Sequence, residues 1–203
     1  PSLQPLPVQF RDFVQWESDQ QHHSSSGDLA YWRKQLGGEL PELALPLDRP
    51  RPPLQSFRGQ RISADLPPDL EKQLLALARR HNATFYMVLL AAFGILLRQF
   101  TRQDDLLIGT HTAGRSKSSF ENLIGFFVNN LVLRTDLSGD PSFAELIHRI
   151  RTVALEAFEH QSTPFDQLVE LLQPERTLDR SPLFQVMFTL QNANVAFPEL
   201  ENL

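Results

Sequence analysis

Four short stretches bring together residue types able to do chemistry. Gly109-Thr110-His111-Thr112-Ala113-Gly114-Arg115-Ser116 has the spacing of a phosphate-binding loop. Such a loop wraps phosphates in backbone N–H groups and extends a slim lysine ammonium to the terminal one. Arg115 stands where that lysine is needed, and no periodic helix follows Ser116. The stretch reads as a strand followed by a loop that positions Arg115. His22-His23-Ser24-Ser25-Ser26-Gly27-Asp28 sets two histidines side by side. Neighbours point apart on any regular element, and the i, i+4 spacing that puts two metal ligands on one helix face is lacking. The Ser and Gly residues predict a flexible loop, and no metal site is expected. In His160-Gln161-Ser162-Thr163-Pro164-Phe165 a histidine lies near a hydroxyl, the pair used to activate a nucleophile. Sequence neighbours rarely have that geometry, and no Gly-x-Ser-x-Gly turn is present. His160 fits better as the last turn of a helix, where a donor meets free carbonyls, with Pro164 as the stop. Arg176-Thr177-Leu178-Asp179-Arg180-Ser181-Pro182-Leu183 is by composition a charged loop with an Asp–Arg pair.

These stretches need elements to position them. Phe10, Phe13 and Trp16 recur at helical spacing, and residues 29–36 predict a short helix carrying Tyr31 and Trp32. Prolines 41, 46, 50, 52 and 53 make residues 37–53 an extended connector, since proline lacks the N–H and fixes φ. Residues 57–66 alternate weakly and predict a strand. Pro67-Pro68-Asp69 opens a helix with the apolar stripe Leu70, Leu74, Leu75, Leu77 and Ala78. Thr84 caps a second helix that runs to Phe100. Residues 105–110 predict a buried strand, 111–121 a polar loop, and 124–135 a strand with an irregularity at Asn129-Asn130. Residues 142–160 form the clearest helix, with Ser142 and Glu145 as a capping box. A shorter helix at 165–172 and a half-buried strand at 184–190 complete the pattern. Interleaved strands and helices predict an α/β or α+β fold around one sheet.

Composition narrows the field. At 203 residues the chain is one domain or two small ones. With 41% hydrophobic and 21% charged residues it can form a packed core. A net charge of -5 argues against general nucleic-acid binding, which needs a basic footprint. No cysteine is present, which excludes disulfides, thiolate zinc sites and cysteine nucleophiles and fits a reducing compartment. The longest apolar run, 87–97, is 11 residues, against about 20 for a bilayer span. It reads as a helix buried on most faces, and no membrane partner is expected. The sequence opens at Pro1 without an initiator Met or an apolar signal stretch, so a piece of a longer cytoplasmic chain is expected.

The order of the motifs carries a resemblance. Phe10-Arg11-Asp12-Phe13-Val14-Gln15-Trp16 resembles the Tyr-x-Asp-Phe/Tyr-Ala-Val-Trp motif of nonribosomal peptide synthetase condensation domains. Tyr31-Trp32-Arg33-Lys34-Gln35-Leu36 and Leu47-Asp48-Arg49-Pro50-Arg51-Pro52 resemble their connector. Ile124-Gly125-Phe126-Phe127-Val128-Asn129-Asn130 is similar to Ile-Gly-x-Phe-Val-Asn-Thr. His160-Gln161-Ser162-Thr163-Pro164-Phe165-Asp166 is similar to His-Gln-Asp-x-Pro-Phe-Glu. Residues 176–183, with Arg176, Arg180 and Pro182, resemble Arg-Asp-x-Ser-Arg-x-Pro-Leu. Phe10 replaces Tyr, Asn130 replaces Thr, Ser162 replaces Asp, and Leu178-Asp179 replaces Leu-Ser.

The resemblance implies an α/β, chloramphenicol-acetyltransferase-like lobe: a mixed sheet packed by helices. It implies an inter-lobe connector at 1–56 and a C-terminal lobe at 57–203, cut before its last strand and helix, with 192–203 as the start of a latch. The family's His-His-x-x-x-Asp-Gly signature is not in this sequence; His22-His23 is followed by Gly-Asp in the wrong order. No catalytic residue is therefore expected here, and the fragment is expected to be inactive alone. The implied reaction joins donor acyl and acceptor aminoacyl thioesters held on phosphopantetheine arms of carrier proteins, with no bound cofactor. Upstream and downstream carriers, an adjacent adenylation domain and the N-terminal lobe are the implied partners. Arg115 is the implied partner of the signature's Asp, and Phe127 and Asn129 are candidates for the tunnel wall. Arg33, Lys34, Arg79 and Arg80 suit either a solvated helix face or a dock for an acidic carrier. A carrier-docking module without catalysis, and an epimerising or ester-forming relative, are the alternatives.

Overall fold

The computed structural model describes residues 5–23, 26–115, 117–174 and 177–191. Six α-helices are placed among them: α1 (Phe10–His23), α2 (Ser26–Gln35), α3 (Pro68–Arg80), α4 (Phe85–Thr101), α5 (Phe143–Glu159) and α6 (Phe165–Leu172). Three strands, β1 (Asp105–Thr112), β2 (Asn129–Asp136) and β3 (Val186–Met187), form a mixed sheet in the order β2-β1-β3. β1 and β2 pair antiparallel, from Asp105 opposite Asp136 to Thr112 opposite Asn129. β3 runs parallel to β1, with Ile108 opposite Val186. This is the α/β lobe the resemblance implied.

The helices start where their caps dictate. Thr84 accepts the Met87 amide at 3.2 Å. Ser142 accepts the Glu145 amide while Glu145 takes the Ser142 amide at 2.7 Å, so two amides left orphaned at the helix start are satisfied. Pro68 and Pro164 open α3 and flank α6, where a lacking N–H costs nothing. The main core is built from Leu90, Ile108, Leu131, Leu133, Ile147 and Ile150, all essentially inaccessible, and Trp32 of α2 joins it. Apolar burial of this kind is the dominant favourable term. Gly109 is required by packing, since a Cβ there would lie 2.5 Å from the Phe184 ring.

Polar side chains lay the connector on this core. Gln103 pairs with Ala44 N–H and the Glu42 carbonyl, Gln185 accepts from Leu43 N–H, and Arg180 pairs with the Glu42 carboxylate. Arg134 bridges Asp105 and the Gly37 carbonyl.

Several expectations are corrected. Residues 57–66 are extended but pair with no strand among the described residues; Phe57 and Ile62 are 85% and 88% exposed, and Phe57 has φ +53°. Alternation alone does not make a strand without a neighbouring edge to take its N–H groups. Residues 124–128 are loop, so β2 begins at Asn129, where an irregularity was expected. The final strand is two residues long rather than spanning 184–190. α4 is not buried on most faces: Ile95, Leu96 and Phe100 are exposed. α3 also buries only Ala78, with Leu70 exposed. His22 and His23 end α1 instead of lying in a loop. Among the described residues no single helix is long and apolar enough to cross a membrane; α3 and α4 pass that test only as a pair bent by 104°.

Candidate functional site

A second, smaller apolar cluster lies outside the main core. Phe13, Phe120, Leu123 and Phe127 are buried in it, with Val8, Phe10 and Trp16 against them. The rings of Phe13 and Phe127 are 4.4 Å apart, and those of Phe13 and Phe120 meet edge to face at 5.3 Å. Such aromatic pairs add directional preference to apolar burial. They dock α1 onto the loop between β1 and β2.

Arg115 organises that loop. Its Nη1 donates to the carbonyls of Phe120, Glu121 and Leu123, the last at 2.9 Å, and its guanidinium lies 4.0 Å over the Phe127 ring. A planar guanidinium can do both at once, and an ammonium cannot. No acidic side chain pairs with Arg115 among the described residues. Gly114 precedes it at φ +65°, and a Cβ there would stand 1.7 Å from the Phe127 carbonyl oxygen. Gly125 is constrained by packing alone, its Cβ position being 2.2 Å from the Phe10 ring. Lys117 covers the Trp16 ring at 4.4 Å.

The turn from His160 to Phe165 faces this loop. Asn129, the first residue of β2, holds it with three bonds. Its Nδ2 donates to the carbonyls of Gln161 and Thr163 at 3.0 and 2.8 Å, and its Oδ1 accepts the Phe165 amide at 3.1 Å. Asn129 thereby supplies the side-chain acceptor that Pro164 cannot offer to the start of α6. The Thr112 hydroxyl, at the end of β1, donates to Gln161 Oε1 at 2.5 Å. On the far side of the turn Asp28 of α2 meets His160 and Ser162.

Between the aromatic cluster and this turn lies a cavity of about 770 Å³. Phe127, Asn129, Arg115, Trp16, Gln161 and Phe165 line it. Two carboxylates, Glu17 of α1 and Asp166 of α6, also reach its wall. Burial, and then the charge of Asp166, push the Glu17 carboxyl above its ordinary range. His111 and His160 are not among the residues lining it, and among the described residues no three metal-ligating side chains gather. The cavity offers amide, hydroxyl, guanidinium and carboxylate groups along an aromatic wall, the mixture of apolar surface and a few polar groups that suits a small-molecule site.

The sequence-expected residues divide by place. Arg115, Phe127, Asn129, Trp16, Gln161, Pro164 and Phe165 meet at the cavity. Gly125 packs behind it against Phe10. His160 lies behind the turn, stacked on Tyr31 at 4.1 Å. Arg180 and Pro182 belong to the loop before β3, away from the cavity, with Arg180 paired to Glu42. Arg176, and the latch expected at 192–203, fall outside the described residues. Sequence reasoning missed Asp28, Thr112 and Glu17. No local signal marks them, because Asp28 and Thr112 act on residues 132 and 49 positions away.

A mixed three-stranded sheet with helices against it and a cavity beside the β1–β2 loop defines a chloramphenicol-acetyltransferase-like lobe. The family model described as "Condensation domain" matches residues 1–202, and the chain belongs to that family. One of the linear gramicidin synthase proteins of Brevibacillus parabrevis is 50% identical over 204 residues, which cover 100% of this chain and 4% of that protein. The X-domain from teicoplanin biosynthesis superposes with a TM-score of 0.84 at 32% identity, over 92% of this chain and 43% of that one. A four-domain nonribosomal peptide synthetase bound to AMP and glycine superposes with a TM-score of 0.80 at 27% identity, over 87% of this chain and 14% of that one. The chain thus spans a small part of the gramicidin synthase protein and under half of the X-domain chain.

Proposed function

We propose that this chain forms one wall of the reaction chamber of an amide-forming condensation domain. The observation that carries the reading is convergence: the Phe13–Trp16, Phe127–Asn129 and Gln161–Asp166 motifs, far apart in sequence, line a single cavity. In the proposed reaction the acceptor aminoacyl nitrogen attacks the carbonyl carbon of the donor thioester. The C–N bond forms, the C–S bond breaks, and the nitrogen's proton leaves as the donor arm departs as a thiol. Both substrates arrive on phosphopantetheine arms of carrier proteins, as in a synthetase that also holds an adenylation domain. Holding two tethered reactants in attack geometry supplies much of the rate gain.

In this reading residues 1–56 are the connector and 57–203 the C-terminal lobe. The His-His-x-x-x-Asp-Gly group would come from an upstream lobe, and the chain alone would be inactive. Arg115 would meet the signature's Asp through guanidinium N–H groups other than Nη1. The absence of an acidic partner within the described residues supports that role. A cysteine-free composition fits a cytoplasmic setting.

The test is product mass spectrometry with donor-loaded and acceptor-loaded carriers, with and without the upstream lobe. Dipeptidyl product that needs the upstream lobe is the expected result. Product from this chain alone would place catalysis within these residues and overturn the assignment. Binding of carriers with no product in either mixture would favour a docking module.

A further inference from the structure

We propose that Asp28 is a positioning residue for the cavity, acting through the 160–165 turn; the inference rests on reading that cavity as the reaction chamber. Asp28 lies in the first turn of α2, and its two carboxylate oxygens serve two residues of the turn. Oδ1 meets His160 Nδ1 at 2.5 Å, and Oδ2 accepts the Ser162 hydroxyl at 2.9 Å. At 2.5 Å the two atoms are within hydrogen-bond distance, and the contact fixes the ring's orientation. One turn along the same helix, Tyr31 stacks on the His160 ring with planes 22° apart. The neighbouring Trp32, fully buried, donates its indole N–H to the His160 carbonyl at 3.0 Å.

α2 therefore grips the turn at a ring face, a ring edge, a carbonyl and a hydroxyl. From the opposite side Asn129 takes the carbonyls of Gln161 and Thr163 and the amide of Phe165. The turn is clamped between a helix and a strand, and it presents Gln161, Ser162 and Phe165 to the cavity. Asp28 itself does not line the cavity, so its influence passes through the turn. Asp28 thus delivers a carboxylate to the Ser162 hydroxyl from 134 residues away. A charge-assisted bond is shorter and roughly twice as strong as a neutral one, so the clamp is stiff.

The experiment uses the complete condensation domain containing this chain. Asp28→Asn keeps the side-chain shape and removes the charge. Turnover at saturating carrier-bound substrates is expected to fall about 10- to 100-fold, the scale for displaced substrate-holding groups. The half-saturating carrier concentration should move less than about twofold, because carrier docking is untouched. Amide exchange at Phe165 should quicken while the α5 amides keep their protection. Adding Ser162→Ala should cost no further turnover, since both changes act on one turn. Unchanged turnover with unchanged Phe165 exchange would overturn the proposal, as would loss of α5 protection in step with activity, which marks general destabilisation. If the unsubstituted domain forms no amide, the reaction-chamber reading fails by itself. Phe165 exchange then decides the clamp: quickened exchange supports it, and unchanged exchange overturns it.

Discussion

Asn129 shows how one side chain can hold a site together. It satisfies two carbonyls and one amide across 32 to 36 residues of sequence, and any shorter residue leaves those groups unpaired. Asn129→Ala should cost about 1–3 kcal/mol, the desolvation penalty of orphaned polar groups. Asn129→Asp should cost at least as much, because it keeps the acceptor for Phe165 but points a carboxylate at two carbonyl oxygens. Urea unfolding would check both, as a lower midpoint with unchanged slope. Arg115 invites a sharper comparison. Arg115→Lys keeps the charge but cannot reach three carbonyls and cover Phe127 together. In the complete domain it should lose most activity, and in the urea experiment it should also lower the midpoint. Retention of both would remove Arg115 from the loop and from the chemistry. These roles were only partly legible in the sequence. Arg115 and Asn129 stood out by motif, but the carbonyls that Asn129 serves lie on another element.

At the scale of elements, what was local was legible and what was shared was not. The capping box of α5, the threonine cap of α4 and the proline openings are written within four residues, and the helices begin where they indicate. Residues 57–66 misled because alternation is a local pattern while pairing is a property of two strands. The same holds for 184–190, where the ladder is two residues long, although Phe188 N–H still reaches the Gly109 carbonyl. The α5 cap also has a signature in pH. Bonds from the Ser142 hydroxyl and amide hold the Glu145 carboxyl below its ordinary value of 4.5. The folded state thus favours the ionised form. Its contribution is full above the unfolded value and is lost as pH falls through the lowered folded one. The stability gap between the native chain and Glu145→Ala should therefore be constant near neutral pH. It should narrow as the pH drops below 4.5. A series of urea titrations against pH would read it, and a gap that widens in acid would refute the cap's charge dependence.

For the molecule as a whole, the cavity is the seam between two unequal apolar bodies. The main core is large and takes in sheet and helices, whereas the aromatic cluster under α1 has four buried residues and no strand of its own. Opening free energies follow buried contacts, so the smaller body should open first and locally. Amide exchange should show α1 and residues 117–128 exchanging well ahead of β1, β2 and α5. Phe13 touches Phe10, Trp16, Phe120 and Phe127, so Phe13→Ala should strip most of the cluster's ring contacts. Phe-to-Ala changes in cores cost about 3–5 kcal/mol, which exceeds what a cluster this small can hold in reserve. The variant should therefore lose protection throughout α1 and the 117–128 loop while β1 and β2 keep theirs. Uniform loss across the sheet would instead mean that the two bodies unfold as one. In that case the cavity's width would be fixed by the global fold rather than set by how α1 sits on its loop.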